Sequence, residues 1–314
     1  MSKRWLLTAV LLFAASVTTR AEFDWVSKYA GDFLSGQANA RLLALGGVGV
    51  AVPEGPAGVH ANPALLARNT RQGVSLMHAD RFGGEVMMDY LAYVHPTQEG
   101  RALGFGLIRQ GVDDIPVTYW EQIGEIRRPR VTEMTSASEY AFQVGYGTES
   151  RYGQIGAVAK LLYKRLYENN AYGLGIDVGY ARDFGRLTVG AQARDVLSTI
   201  LAWDTGRTET IAPAARIGAA YTIIMQRQNT ELMPVVELQA RGESLDDDDA
   251  LALHAGLEVR ISKVVMARVG YDDERLAYGA GLRVGPAAVD YAFVGHSDLG
   301  NTHRVSIAWF WGQI

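Results

Sequence analysis

The sequence contains no cysteine. That absence removes disulfide cross-links, a lipid-attachment thiol and any thiolate metal centre. Long apolar runs are almost missing too: beyond the first seventeen residues nothing approaches the ~18 uninterrupted apolar residues of a membrane helix. Helical insertion is therefore excluded. There is no basic excess, with 30 Lys and Arg against 34 Asp and Glu and a net charge of -4, so no electrostatic footprint for nucleic acid exists. With 48% hydrophobic and 20% charged residues the chain is compositionally ordinary. A β-barrel hides in such a composition, because half of each strand is polar.

What is present begins at the amino terminus. Lys3 and Arg4 precede an apolar stretch from Trp5 to Val17, and Thr19, Arg20 and Ala21 offer a small-residue cleavage region. This is the pattern of an export signal over residues 1–21, a buried amphipathic helix being the alternative. The expected destination is the outer membrane of a Gram-negative cell.

Between Tyr172 and Tyr180 every second residue is large and apolar or aromatic: Tyr172, Leu174, Ile176, Val178 and Tyr180. Gly173, Gly175, Asp177 and Gly179 fill the gaps. A strand greasy on one face, small or polar on the other, and bounded by aromatics suits a transmembrane barrel. The pattern repeats over spans near 72–79, 86–95, 101–110, 138–147, 154–164, 171–183, 186–194, 213–223, 232–241, 250–261, 264–272, 276–285, 287–295 and 303–311. Many of the 35 glycines fall on inward positions, where they save lumen space. An even strand count returns both termini to the periplasm, so even-numbered connections should be short and odd-numbered ones free to be long. The segments 183–186, 262–263 and 285–286 against 111–137, 195–212 and 242–249 obey that parity, with 223–231 a long exception.

Residues 22–71 precede the barrel, which takes 72–314, and do not read as a membrane strand. Their small, apolar, Gly- and Pro-broken character suits a hatch of short helices inside the tube. Pro63 pushes Asn62 out of the helical region and favours a short helix from Ala64. Gly46, Gly47, Asn62, Pro63 and Ala64 are taken as the hatch motif.

By the alternation Lys160, Lys164, Asp177, Arg194, Arg216, Glu237, Glu258, Arg260, Arg268, Arg283, Asp290 and Arg304 point inward. Basic residues predominate. They suit an anionic amphiphile such as a carboxylate, or they pair across strands and anchor the hatch. Gly46, Gly47 and Gly49 lack the spacing of a dinucleotide loop. The run Asp246 to Asp249 lacks the Gly and terminal Glu of a calcium loop and reads as a solvated turn. His254 and His303 have no carboxylate at ligand spacing and read as lumen or rim histidines. Ser306, His303 and Asp290 fall in neighbouring strands, but no oxyanion element accompanies them, so no catalytic set, metal or cofactor is expected. In the connection 111–137, Tyr119, Trp120 and Ile126 among Arg127, Arg128 and Arg130 suit either a partner surface or a loop folded over the barrel mouth.

The run Tyr29 to Ala67, with Ala40-Arg41 leading into Ala44-Leu45-Gly46-Gly47 and then Asn62-Pro63-Ala64-Leu65, resembles the hatch of the FadL-like outer-membrane barrels, in particular their PorV/PorQ branch. Arg268-Val269-Gly270-Tyr271, Gly279 to Arg283, Asp290 to Phe293 and Leu299 to Ser306 resemble the closing strands of that branch. The chain departs from the pattern in ending Trp309-Phe310-Trp311-Gly312-Gln313-Ile314. The resemblance implies an all-β, fourteen-stranded antiparallel transmembrane barrel with an amino-terminal luminal hatch. It implies a factor that binds or translocates cargo at the outer membrane in a type IX secretion-like system. The alternative it carries is a passive uptake channel for hydrophobic or amphiphilic molecules such as long-chain fatty acids. Expected partners are outer-membrane lipid, secreted protein cargo or secretion components, and a hydrophobic small-molecule ligand.

Overall fold

The structure is a computed structural model that describes residues 30–52, 55–124, 126–242, 251–272, 275–295 and 300–312. The export signal and the acidic run 246–249 lie outside the described residues.

Extended segments follow the period-2 pattern from end to end. They are β1 (Gln72–Arg81), β2 (Val86–Gln98), β3 (Arg101–Ile123), β4 (Ile126–Ser150), β5 (Gly153–Leu166), β6 (Asn169–Phe184), β7 (Leu187–Arg194), β8 (Thr199–Trp203) and β9 (Thr208–Ile211). There follow β10 (Ala214–Tyr221), β11 (Ile223–Met225), β12 (Thr230–Arg241), β13 (Leu251–Ile261), β14 (Val265–Asp272), β15 (Arg275–Val284), β16 (Ala287–Val294) and β17 (Thr302–Trp311). β10 and β11 are one strand interrupted at Thr222, both pairing with β12, while β8 and β9 form a hairpin hung on the upper half of β6. β17 closes on β1 from Gln72↔Trp311 to Asp80↔His303. The result is a closed antiparallel barrel of fourteen strands. Closure leaves the barrel wall itself without a sheet edge, the condition for exposing backbone to lipid.

The outward side chains are those the alternation selects. Leu174 is 74% exposed, and Tyr172, Leu253, Ile307 and Trp309 are also exposed on the outer wall. In a transmembrane barrel such residues face lipid. No helix among the described residues is long and apolar enough to cross a membrane.

Three differences from the sequence reading concern the connections between strands. Residues 111–137 are not a loop over the mouth: β3 and β4 stay paired to Ile123↔Ile126 as a ribbon. β2 leaves β3 at Gly111 and β5 leaves β4 at Ala137, so beyond those points the ribbon has free edges and exposed side chains. Segment 195–212 contains the β8–β9 hairpin, entered through Asp195 and Ser198 at positive φ. The long exception at 223–231 resolves into β11, a single 3-10 turn at Gln226–Gln228 and Asn229 in the left-handed region. That leaves a short periplasmic connection.

Inside the tube lies the hatch, built from α1 (Asp32–Ser35), α2 (Ala40–Ala44), α3 (Gly58–Ala61) and 3-10 turns at Gly55–Ala57 and Pro63–Arg68. Asn39 caps α2, its side-chain oxygen accepting from Arg41 N at 2.8 Å and Leu42 N at 3.4 Å. Asn62 is extended, as Pro63 requires, and its Oδ1 accepts Ala64 N at 3.1 Å. α2 packs on β14 to β17, and the Pro63–Arg68 turn packs on β3 to β6. The hatch thus spans the lumen from wall to wall.

The inward glycines do more than save space. A Cβ on Gly190 would overlap the Val50 carbonyl, on Gly179 the Asn62 side chain, on Gly156 Pro63, and on Gly256 and Gly270 the turn at Leu45 and Gly46. The hatch backbone therefore rests directly on barrel backbone. Close approach is the role glycine serves there, and no other residue fits without displacing the hatch.

Candidate functional site

Two charged systems line the inner wall, and the first also fastens the hatch to it. On one side Glu258 of β13 receives Arg41 Nε and Arg268 Nε, each at 2.7 Å, and Arg260 Nη2 at 3.0 Å. Arg268 continues to Asp290 at 2.7 Å. On the other side Lys160 lies 2.7 Å from Asp177 and 3.0 Å from Asp195, which Thr199 also bonds, so this triad locks the kink between β7 and β8. Lys164 pairs with Glu139 at 2.6 Å. Burying such charges is favourable only when each meets an opposite one with good geometry, as here.

A third set behaves differently, because its cations hold hatch carbonyls. Arg194 donates to Leu34 O at 2.7 Å and His60 O at 3.2 Å. Arg216, paired to Glu237 at 3.0 Å, donates to Ser35 O at 2.9 Å and Gly47 O at 3.2 Å. Arg304 Nη1 donates to Gln37 O. His254 Nδ1 lies 2.8 Å from Gly46 O and 3.0 Å from Asp272 Oδ1. Glu237 completes the set from the acidic side, accepting Gly49 N at 2.7 Å and Val50 N at 3.0 Å.

Of these residues Arg216, His254, Asp272 and Arg304 border a cavity of about 130 Å³ between the hatch and the extracellular mouth. Arg81, Arg216, Arg241, Arg275 and Arg304 reach it, opposed by Asp32 and Asp272. The vestibule is therefore cationic. Several buried polar atoms on its wall meet no partner among the described residues: Nε of Arg216 and of Arg304, Nε2 of His254, and both amide atoms of Gln37. An unmatched buried donor costs roughly 1–3 kcal/mol, so a polar guest would relieve the site.

The inward residues read from the alternation divide accordingly. Lys160, Lys164, Asp177, Glu258, Arg268 and Asp290 form the two pairing networks, with Arg260 at their half-buried margin. Arg194, Arg216, Glu237 and Arg304 hold the hatch backbone. Arg283 stands apart: it is exposed at the periplasmic mouth beside Arg68 and Arg71, beyond the hatch, because its strand runs past the plug there. In the hatch motif Gly46 and Gly47 take φ of 81° and 80° to turn the chain out of α2. Asn62 Nδ2 donates to Val50 O at 2.7 Å and Tyr180 O at 3.1 Å, tying hatch to hatch and hatch to wall.

Sequence reasoning missed Arg41, Gln37, His60 and the Asp272 partner of His254. One signal was available: Arg41 is the only charge from residue 33 to 53, and a lone charge in a plug must find a partner. His254 does have a carboxylate, supplied by the neighbouring strand through the register His254↔Asp272. Ser306, His303 and Asp290 do not assemble. Ser306 accepts Ala40 N inside the barrel, whereas His303 sits on the outer wall against Tyr291 and Phe293. No grouping of His, Asp and Glu able to hold a metal occurs among the described residues.

No protein-family model matches the sequence, and no curated protein matches it. Solved structures do. The Pseudomonas putida toluene transporter TodX aligns over 90% of this chain and 100% of its own, with a TM-score of 0.61 at 11% identity. The Ralstonia pickettii toluene transporter TbuX aligns over 90% and 99%, with a TM-score of 0.57 at 12% identity. A Pseudomonas aeruginosa FadL homologue aligns over 87% and 98%, with a TM-score of 0.53 at 9% identity. At these identities the likeness concerns the fold alone, a closed antiparallel β-barrel.

Proposed function

We propose that the protein is an outer-membrane uptake channel for small hydrophobic or amphiphilic molecules, with the hatch as its moving part. The observation that carries this reading is the vestibule: a cationic cavity on the extracellular side, floored by a hatch whose backbone is held by side-chain tethers. A floor held by a few polar tethers is one that a guest can displace. Guanidinium groups around the cavity favour a molecule with an anionic head, such as a carboxylate. TodX and TbuX, which share the architecture, are described as toluene transporters, in keeping with traffic of apolar compounds through such a tube.

The test is flux into liposomes carrying the purified protein. Octanoate and toluene should equilibrate faster than in protein-free liposomes, and flux of neither above that background would overturn the reading.

One feature favours a second reading, in which the protein handles secreted cargo as the PorV/PorQ branch does. Trp120 is 69% exposed and shares a face of the β3–β4 ribbon with Pro116, Pro129, Val131 and Met134. An aromatic and apolar face lifted clear of the wall suits a protein partner. Cross-linking from the ribbon in intact cells should trap a secreted polypeptide under this reading, and adjacent lipid only under the first.

A further inference from the structure

At the periplasmic ends of β4 to β6 the two signs of charge face opposite ways. Asp183 points into the barrel, where its Oδ1 accepts Arg68 Nη2 at 3.0 Å and Thr188 Oγ1 at 2.6 Å. Glu149 shares the inward parity of Gly147, which lies against Pro63. Arg182 falls on the other face, in the outward set Val178, Tyr180, Arg182 and Phe184. Its guanidinium lies over the Phe184 ring, 5.1 Å from the centroid. At the tip of the adjoining β4–β5 turn Arg151 lies over the Tyr152 ring at 4.5 Å. The turn is fixed against β6: Tyr180 Oη donates to Tyr152 O at 2.7 Å, and a Cβ on Gly153 would meet the Arg182 Cβ at 3.2 Å. Neither guanidinium forms an ion pair or a hydrogen bond among the described residues.

We infer that Arg151 and Arg182, with Tyr152, Tyr180 and Phe184 around them, bind the head group of an anionic phospholipid in the periplasmic leaflet of the membrane. Depth is the first reason. Tyr180 closes the apolar stretch of β6, and aromatic girdles mark the level of the head groups. Arg182 lies two residues further out on the same face, roughly 7 Å along the strand, where lipid phosphates stand. Geometry is the second. A guanidinium stacked on a ring keeps its N–H donors in its own plane, at the edge, where they meet a phosphate. The rings hold each fork in place, so little freedom is lost when the anion arrives.

The surroundings select the kind of lipid. Both nearby carboxylates are turned inward, so nothing on the outer face competes with a phosphate for the arginines. A choline or ethanolamine head brings a cation that the arginines repel, whereas a glycerol phosphodiester does not. Beside the arginines Phe184 and Tyr152 are exposed, and Ile155, paired with Tyr180, continues the apolar wall along which an acyl chain can lie. Other periplasmic turns carry exposed cations free of ion pairs among the described residues, Arg101, Arg186, Arg227 and Lys263, but none of these lies over a ring. The site stands on the outer wall, so it is independent of what crosses the lumen.

The test is native mass spectrometry of the full-length protein released from nanodiscs of phosphatidylglycerol and phosphatidylcholine, equal in amount and identical in chains. Phosphatidylglycerol should be enriched among the retained lipids by roughly fivefold or more, the effect of one or two basic residues at a membrane surface. A variant carrying Arg151→Gln and Arg182→Gln should lose the enrichment, with heat-modifiable electrophoresis showing its barrel intact. One carrying Arg227→Gln and Lys263→Gln should keep it. No enrichment in the wild-type protein, an undiminished enrichment in the first variant, or an equal loss in the second would overturn the site. A photoreactive phenylalanine analogue in place of Phe184 identifies the occupant in intact cells. A phospholipid adduct is the expected product, and adducts confined to polypeptide or to peptidoglycan would overturn the assignment to lipid.

Discussion

His60 shows how much one hatch residue decides. Its Nε2 lies 2.8 Å from Gly36 O and its Nδ1 lies 3.2 Å from the Gln143 amide nitrogen. A carbonyl only accepts and the amide nitrogen only donates, so Nε2 carries the proton and the ring is neutral. Burial first, then the charges of Arg194, Lys160 and Arg216, hold its pKa well below the usual value, against the opposing pull of the Gly36 carbonyl. A second proton would set Nδ1–H against the Gln143 N–H. In a released hatch the imidazole titrates near about 6.5. Above that pH both states are neutral and docking keeps its full strength; below it only the released hatch takes up the proton. Docking therefore weakens as pH falls from about 6.5 towards the depressed folded value, by at most ~1.4 kcal/mol per unit. Because the chain lacks cysteine, Val59→Cys, buried in the hatch, offers a clean thiol probe. Its labelling, corrected for thiolate fraction, should be flat from pH 8 to 7 and accelerate below about 6.5, the reference value for histidine. His60→Gln should remove that acceleration, and an unaltered pH profile in that variant would sink the assignment.

At the scale of elements, the tie between α2 and β13 is the one most exposed to a single change. Glu258 meets Arg41, Arg268 and Arg260 at once. Glu258→Gln should lower the stability of the docked hatch by about 3–5 kcal/mol, the cost of leaving buried charge without its counter-ion. Faster proteolysis of α2 with the barrel band unchanged in heat-modifiable electrophoresis would register it. Replacing Glu121, which is half-buried on the ribbon and pairs with the exposed Arg130, should change stability by no more than about 1 kcal/mol. The strands themselves were legible in the sequence, because lipid imposes a strict period of two on every outward residue from Leu76 to Trp309. The ribbon was not: past Gly111 no neighbour buries either face, and mixed residues such as Thr118, Trp120 and Gln122 read as a loop. The inward cations were legible by parity, but alternation fixes a face and not a neighbour. Hence Arg194 and Arg304 were on the page while the carbonyls they hold were not, and the register that brings Asp272 to His254 could be read only from the paired strands.

At the scale of the whole molecule the hatch and the barrel specify each other. Fourteen strands enclose a lumen wider than inward side chains of ordinary size can fill. Here the inward face is thinned further, with glycine at 145, 147, 156, 179, 190, 256, 270 and 279 where the plug lies against it. Such a wall cannot close on itself, so without the plug it leaves an aqueous hole lined by Lys160, Arg194, Arg216, Arg268 and Arg304. Arg194, Arg216 and Arg304 would then be hydrated and freed from the hatch, whereas Asp177, Glu237 and Glu258 stay partly neutralised by barrel partners. Excision of residues 30–68 should accordingly convert a closed protein into a steady pore in planar bilayers. The barrel should still assemble, since every strand pairing from β1 to β17 lies outside the excised segment. Among the described residues Arg194 and Arg304 pair with no carboxylate of the wall, so the pore should pass chloride more readily than potassium. A deletion variant that assembles yet conducts no better than the intact protein would mean that the lumen is sealed by the wall, and that the hatch is no gate.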